Sequence, residues 1–117
     1  MGNEMRVRIL QLADTPENAG LFFRGYNSVE KNGISITGDR YEVMYDCQRP
    51  ESHNMEAIYV EFNVNNPADF KGHSLSVSDV VVADYEDGTQ KCYYVDIVGF
   101  KELPAFNPEL AYKPTSR

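Results

Sequence analysis

Three stretches of this sequence predict an α+β fold: a bent antiparallel β-sheet or small half-open barrel with one main helix packed on it. MRVRILQL (5–12) alternates apolar and basic residues as a half-buried strand does. VVVADYEDGTQKCYYV (80–95) reads as two strands joined at an Asp-Gly turn. MEAIYVEF between them places Met55, Ile58, Tyr59 and Phe62 at i, i+3, i+4 and i+7, one face of a helix.

The first strand puts Met5, Val7 and Ile9 on one face and Arg6 and Arg8 on the other. Residues 1–4 read as a short leader or remnant ahead of it. ADTPENAG is turn chemistry, and LFFRGYNSVEKNG (21–33) suggests a strand end running into a helical turn. ISITGDRYEVMYDCQ reads as two strand segments broken at Gly38-Asp39, with Tyr41, Val43, Tyr45 and Cys47 sharing a face. Ser52 or Asn54 is available to cap the helix of residues 54–62. In NNPADF, Asn66 and Pro67 suggest a single helical turn. GFKELPAF supplies a last short strand, with Phe100, Leu103 and Phe106 closing the core. The domain therefore runs over 5–106, and the polar, proline-bearing 107–117 reads as a mobile or partner-docked tail.

If Asp87-Gly88 forms a two-residue type I′ turn, Asp84 faces Lys91, Val82 faces Tyr93 and Val80 faces Val95. Val80, Val82, Tyr93 and Val95 then share one face, and Val81, Ala83, Cys92 and Tyr94 the other. Both faces are apolar, whereas an exposed antiparallel hairpin is polar on one side. The hairpin is then either central in a closed barrel or keeps one face for a partner. The same register sets Asp79 against Asp96.

Composition narrows the function classes. With 117 residues and 42% hydrophobic content the chain can bury a single core without staples. Cys47 and Cys92, the two cysteines, have no CxxC or histidine cluster beside them, so they read as reduced thiols of a cytoplasmic protein. No apolar run is long enough to span a bilayer. The net charge of −7 disfavours direct binding to nucleic acid, whose carriers would be Arg6, Arg8, Arg24, Lys91 and Tyr93.

The polar stretch GHSLSVSD (72–79) is where chemistry would sit. His73, Ser76, Ser78 and Asp79, with Asp96 across the hairpin, could hold a small ligand, and Asp79 and Asp96 with His73 a metal; Gly72, Ser74, Gly99 and Phe100 complete the same stretch as a structural motif. Local capping of loop amides by serine and aspartate explains the same residues with fewer assumptions. A serine-nucleophile reading lacks a GxSxG elbow or a flanking oxyanion loop. No phosphate-cradling glycine loop occurs, and His53 reads as a surface residue. The sequence therefore offers no catalytic residues, no metal ligands and no cofactor.

Two segments carry a family resemblance. NMEAIYVEFNVNNPADFKGHSLSVSDVVV and YYVDIVGFKELPAF, with VRILQL and YEVMYD more loosely, resemble the YodL-like domain of Firmicutes and their mobile elements over about residues 6–106. The resemblance implies a mobile-element or phage setting, near DNA-processing and anti-defence genes. It implies no catalytic residues. The expected function is a non-enzymatic protein-interaction module, in a sharper form an inhibitor of a host defence nuclease. Asp69, Asp84, Glu86, Asp87 and Glu102 would then stand in for phosphates. The alternative is a small enzyme or ligand binder at the hairpin's open end.

Overall fold

The computed structural model describes residues 2–113. One open antiparallel sheet is built from β1 (Glu4–Leu12), β2 (Tyr41–Pro50), β3 (Val80–Tyr85), β4 (Gln90–Val95) and β5 (Phe100–Glu102). The strand order is β2-β1-β3-β4-β5, so β2 and β5 are edges and the sheet is not a barrel. The helices are α1 (Tyr26–Lys31) and α2 (Met55–Asn63). The α+β architecture with one main helix is as the sequence predicts.

α2 starts where Asn54 accepts a hydrogen bond from the Ala57 amide at 2.8 Å. Its inner face, Ile58 and Phe62, is fully buried on Met5, Val7, Ile9, Val81, Ala83 and Val95. The opposite face of the sheet carries Leu10, Leu12, Val80, Val82, Cys92 and Tyr94. There Leu21, Val29 of α1, Leu103 and Phe106 cover it. Both apolar faces of the hairpin are therefore filled by the chain itself, which removes the choice between a closed barrel and a face kept for a partner.

The hairpin register differs from the expected one by a residue. Val80 pairs with Tyr94, Val82 with Cys92 and Asp84 with Gln90. The Tyr85 amide donates to Thr89 and the Gly88 amide to Tyr85, leaving a three-residue loop. Gly88 has φ 93°, while Asp87 is not left-handed, so one left-handed residue follows the turn instead of two within it. The three-residue loop moves every residue of β4 to the face opposite the expected one. Asp84 turns from Lys91 to Gln90, and Asp79 faces Val95, not Asp96.

A second irregularity splits β2. The register shifts between Ile9↔Tyr45 and Leu10↔Val43, a bulge at Met44. Tyr41 and Val43 join the α1 side, and Tyr45 and Cys47 the α2 side, so the four do not share a face. The segment before Gly38 forms no strand; Gly38–Arg40 is a 3-10 turn. Residues 21–23 are turns leading to α1, and Pro67–Phe70 is a turn rather than a helix.

The expected mobile tail is docked as far as it is described. A 3-10 turn at Pro108–Leu110 leads to Tyr112, which exchanges hydrogen bonds with Tyr41 and Val43 along the β2 edge. Residues 114–117 lie outside the described residues. At the other end, Glu4 of the expected leader already pairs with Pro50 in β1.

Candidate functional site

The 72–79 loop closes over the end of β1, and Gln11 is the post on which it is built. Gln11 is buried, and its Nε2 donates to the His73 carbonyl at 2.7 Å and to Asp79 Oδ2 at 3.0 Å. His73 Nδ1 lies 2.8 Å from the Ser74 carbonyl, a distance that places the proton on Nδ1. Both Gln11 protons are then used, and His73 Nε2 faces Asp79 Oδ1 at 3.8 Å. Gly72 makes the approach feasible, because a Cβ there would sit 2.1 Å from Gln11 Oε1.

Asp79 is 1% exposed. Its Oδ2 also accepts from the Ser76 amide at 2.9 Å. Burial nevertheless dominates and pushes the carboxyl up to about 8, against the lowering by Ser76 and Gln11. At neutral pH this acid is largely protonated.

The residue before it is strained. Ser78 has φ 90°, and its hydroxyl accepts from the Phe23 amide at 3.1 Å. Phe23 is itself left-handed at φ 62° and largely exposed, an uncommon combination for a bulky residue. Its ring lies 6.0 Å from that of His73. The Tyr41 hydroxyl donates to the Ser78 carbonyl at 2.7 Å, and burial raises Tyr41 well above its ordinary value. Two strained residues are therefore bonded to each other, and Tyr41 of β2 holds the Ser78 carbonyl.

Chemically, this cluster holds the loop. Ser76 donates to the Ser74 carbonyl, Ser78 accepts from Phe23, and Ser74 accepts from Asn66. None of the three hydroxyls is bonded to His73, so no serine–histidine pair is assembled among the described residues. Asp96 lies apart: it accepts from the amides of Tyr26 and Ile97, capping α1 and the 96–99 turn. Gly99 closes that turn at φ 74°, and Phe100 begins β5. No group of three or more His, Cys, Asp or Glu is placed to hold a metal among the described residues. His53 is partly buried beside the turn that precedes α2, its amide bonded to Pro50.

The acidic candidates are dispersed. Asp84 pairs with buried Arg8 at 2.7 Å, and Arg8 also reaches Glu109 at 3.1 Å. Glu86 accepts from the Glu4 amide and Asp87 from the Thr89 amide, at the hairpin tip. Asp69 accepts from Tyr45 beside the β2 edge, whereas Glu102 lies on β5 at the far edge. Besides Arg8, two of the basic candidates are engaged: Arg6 forms a two-point pair with Asp46, and Arg24 bonds Gly20 and Ser28. Cys47 and Cys92 are on opposite faces of the sheet, and burial pushes both thiols to about 11, which leaves them inert.

A family model for the YodL-like domain matches residues 6–106. The chain belongs to the YodL-like domain family. No curated protein and no solved structure matches the chain. Within this YodL-like domain, the segment GHSLSVSD is the loop that Gln11 and Asp79 secure.

Sequence reading missed Gln11, Phe23 and Tyr41, each distant in the chain from the loop it holds. It also missed an exposed apolar patch. Ile97 and Val98 in the β4–β5 turn are 72% and 89% exposed, and Val60 on the outer side of α2 is 50% exposed. Ile97, Val60, Tyr59 and Phe100 line one open cleft of about 400 Å³. An apolar pair within a turn is the sequence signal for it. No helix among the described residues is long and apolar enough to cross a membrane.

Proposed function

We propose that this YodL-like domain is a non-enzymatic protein-interaction module whose contact surface is the apolar cleft between α2 and the 96–99 turn. The observation that carries the reading is the exposure of Ile97 and Val60 in one cleft, with exposed Val98 next to Ile97 in the turn, in a fold whose two core faces are otherwise filled. Exposed apolar residues grouped around a cleft mark contact sites, whereas single ones do not. The secured loop supports the same reading, since its polar groups are spent on one another. In the mobile-element or phage setting that the resemblance implies, the partner is a host or element-encoded cytoplasmic protein, and a host defence protein fits that setting. The acidic-surface form has weaker support, because Asp69 and Glu102 lie at opposite edges and Asp84 is neutralised by Arg8.

The test is affinity capture from nuclease-treated host lysate with the native chain and with Val60→Asp/Val98→Asp. Retention of a protein by the native chain and its loss in the variant is the expected result. Retention that persists in the variant, or that disappears with nuclease, contradicts the reading.

A further inference from the structure

The cleft adjoins a sheet edge whose backbone is open. The Leu103 amide donates to Cys92, and the Gly99 carbonyl accepts from Asp96. Along an antiparallel pair these contacts alternate, so Lys101 faces β4 while Phe100 and Glu102 turn their N–H and C=O groups outward. The other edge is partly closed, since Tyr112 bonds alongside Tyr41 and Val43 of β2. The side chains of β5 alternate too. Lys101 stands on the α1 side, 5.6 Å from the Tyr26 ring, and Phe100 stands on the α2 side, 6.3 Å from Tyr59. A residue paired beside Phe100 would project its side chain over the cleft lined by Tyr59, Val60 and Ile97.

The rim is acidic. Glu56 and Asp96 line the cleft, and Glu102 shares the face of Phe100. None of the three enters an ion pair among the described residues. We propose that β5 accepts an extended peptide segment of a partner as a sixth strand, with an aliphatic side chain in the cleft and flanking Lys or Arg residues against Glu56 and Glu102. This deepens the interaction reading and rests on it. Because β5 presents outward groups at two residues, main-chain pairing alone is short. The cleft and the rim charges therefore supply the selectivity.

The experiment is display selection of random seven-residue peptides on the full chain, followed by titration of the enriched peptides. Peptides combining a β-branched residue with Lys or Arg are expected. Their affinity falls at least about tenfold with Val60→Asp and with Glu102→Pro, and is unchanged by Glu30→Gln on α1. Glu102→Pro deletes one outward N–H without touching the bonds to β4. Bound peptide also slows amide exchange at Phe100 and Glu102, which carries the test if the proline variant fails to fold. Peptides that bind equally well to Val60→Asp and leave those amides unprotected overturn strand addition while leaving the interaction reading standing. A selection that yields no specific peptide also overturns strand addition, and the capture experiment decides the interaction reading separately.

Discussion

Gln11 Nε2 donates to Asp79 Oδ2 and to the His73 carbonyl, across more than sixty residues of sequence, and so joins β1 to the loop before β3. One buried side-chain amide serves two acceptors, one of them on the fully buried Asp79. The 72–79 loop owes its single conformation to this contact, reinforced by the Ser76 amide on the same carboxyl oxygen.

Gln11→Leu keeps the volume and removes both donations, leaving the His73 carbonyl without this donor and buried Asp79 Oδ2 with the Ser76 amide alone. It is expected to lower stability by about 2–3 kcal/mol in denaturant unfolding. Gly72→Ala should cost a similar amount, since its Cβ would lie 2.1 Å from Gln11 Oε1. The double variant should fall well short of the sum, because both changes break one contact.

Asp79 gives the stability a pH slope. Its folded value of about 8 lies above the unfolded value of 3.8, so between these pH values the folded state holds more protons than the unfolded one. Stability from this group is complete below about pH 4 and declines as pH rises toward 8. Asp79→Asn cannot ionise, and its carbonyl oxygen can accept from Gln11 and Ser76. Melting curves at pH 5 and pH 8 should show a larger fall for the native chain than for the variant, by roughly 4 °C or more for each kcal/mol.

Ser78 separates strain from hydrogen bonding. Ser78→Ala keeps the φ of 90° and loses the acceptor for the Phe23 amide, whereas Ser78→Gly loses the acceptor and relieves the backbone. Alanine is expected to be the less stable of the two by about 1 kcal/mol. Equal melting temperatures would show that the left-handed geometry stores no strain.

The hairpin register is open to the same approach. With Gly88 at φ 93° and Asp87 outside the left-handed region, Gly88→Ala should cost about 1 kcal/mol and Asp87→Ala much less. A two-residue turn would make both positions comparably sensitive.

Local periodicity made most of the fold legible. β1 alternates from Met5 to Ile9 as its spacing predicts, and α2 presents the face that its spacing predicts, with Asn54 as its cap. What escaped was the loop geometry that sets register. Asp87-Gly88 fits two turns differing by one residue, and that residue decides which face every β4 side chain takes. The bulge at Met44 had no glycine or proline to mark it. The site was half legible: Ser76 and Asp79 do bond local groups, as does the Ser74 carbonyl, whereas the Ser78 hydroxyl accepts from distant Phe23. Their anchors, Gln11, Phe23 and Tyr41, act over distances that no local pattern encodes. The acidic residues illustrate the reverse, because similar side chains in the sequence were dispersed to different edges by the topology.

The most direct measurement is hydrogen–deuterium exchange of the captured complex against the chain alone. Contact through the α2 cleft predicts slowed exchange in α2 and over 96–102, with the 84–89 hairpin tip and the 66–74 segment unchanged. Protection confined to the hairpin tip or to the 66–74 segment would contradict the account.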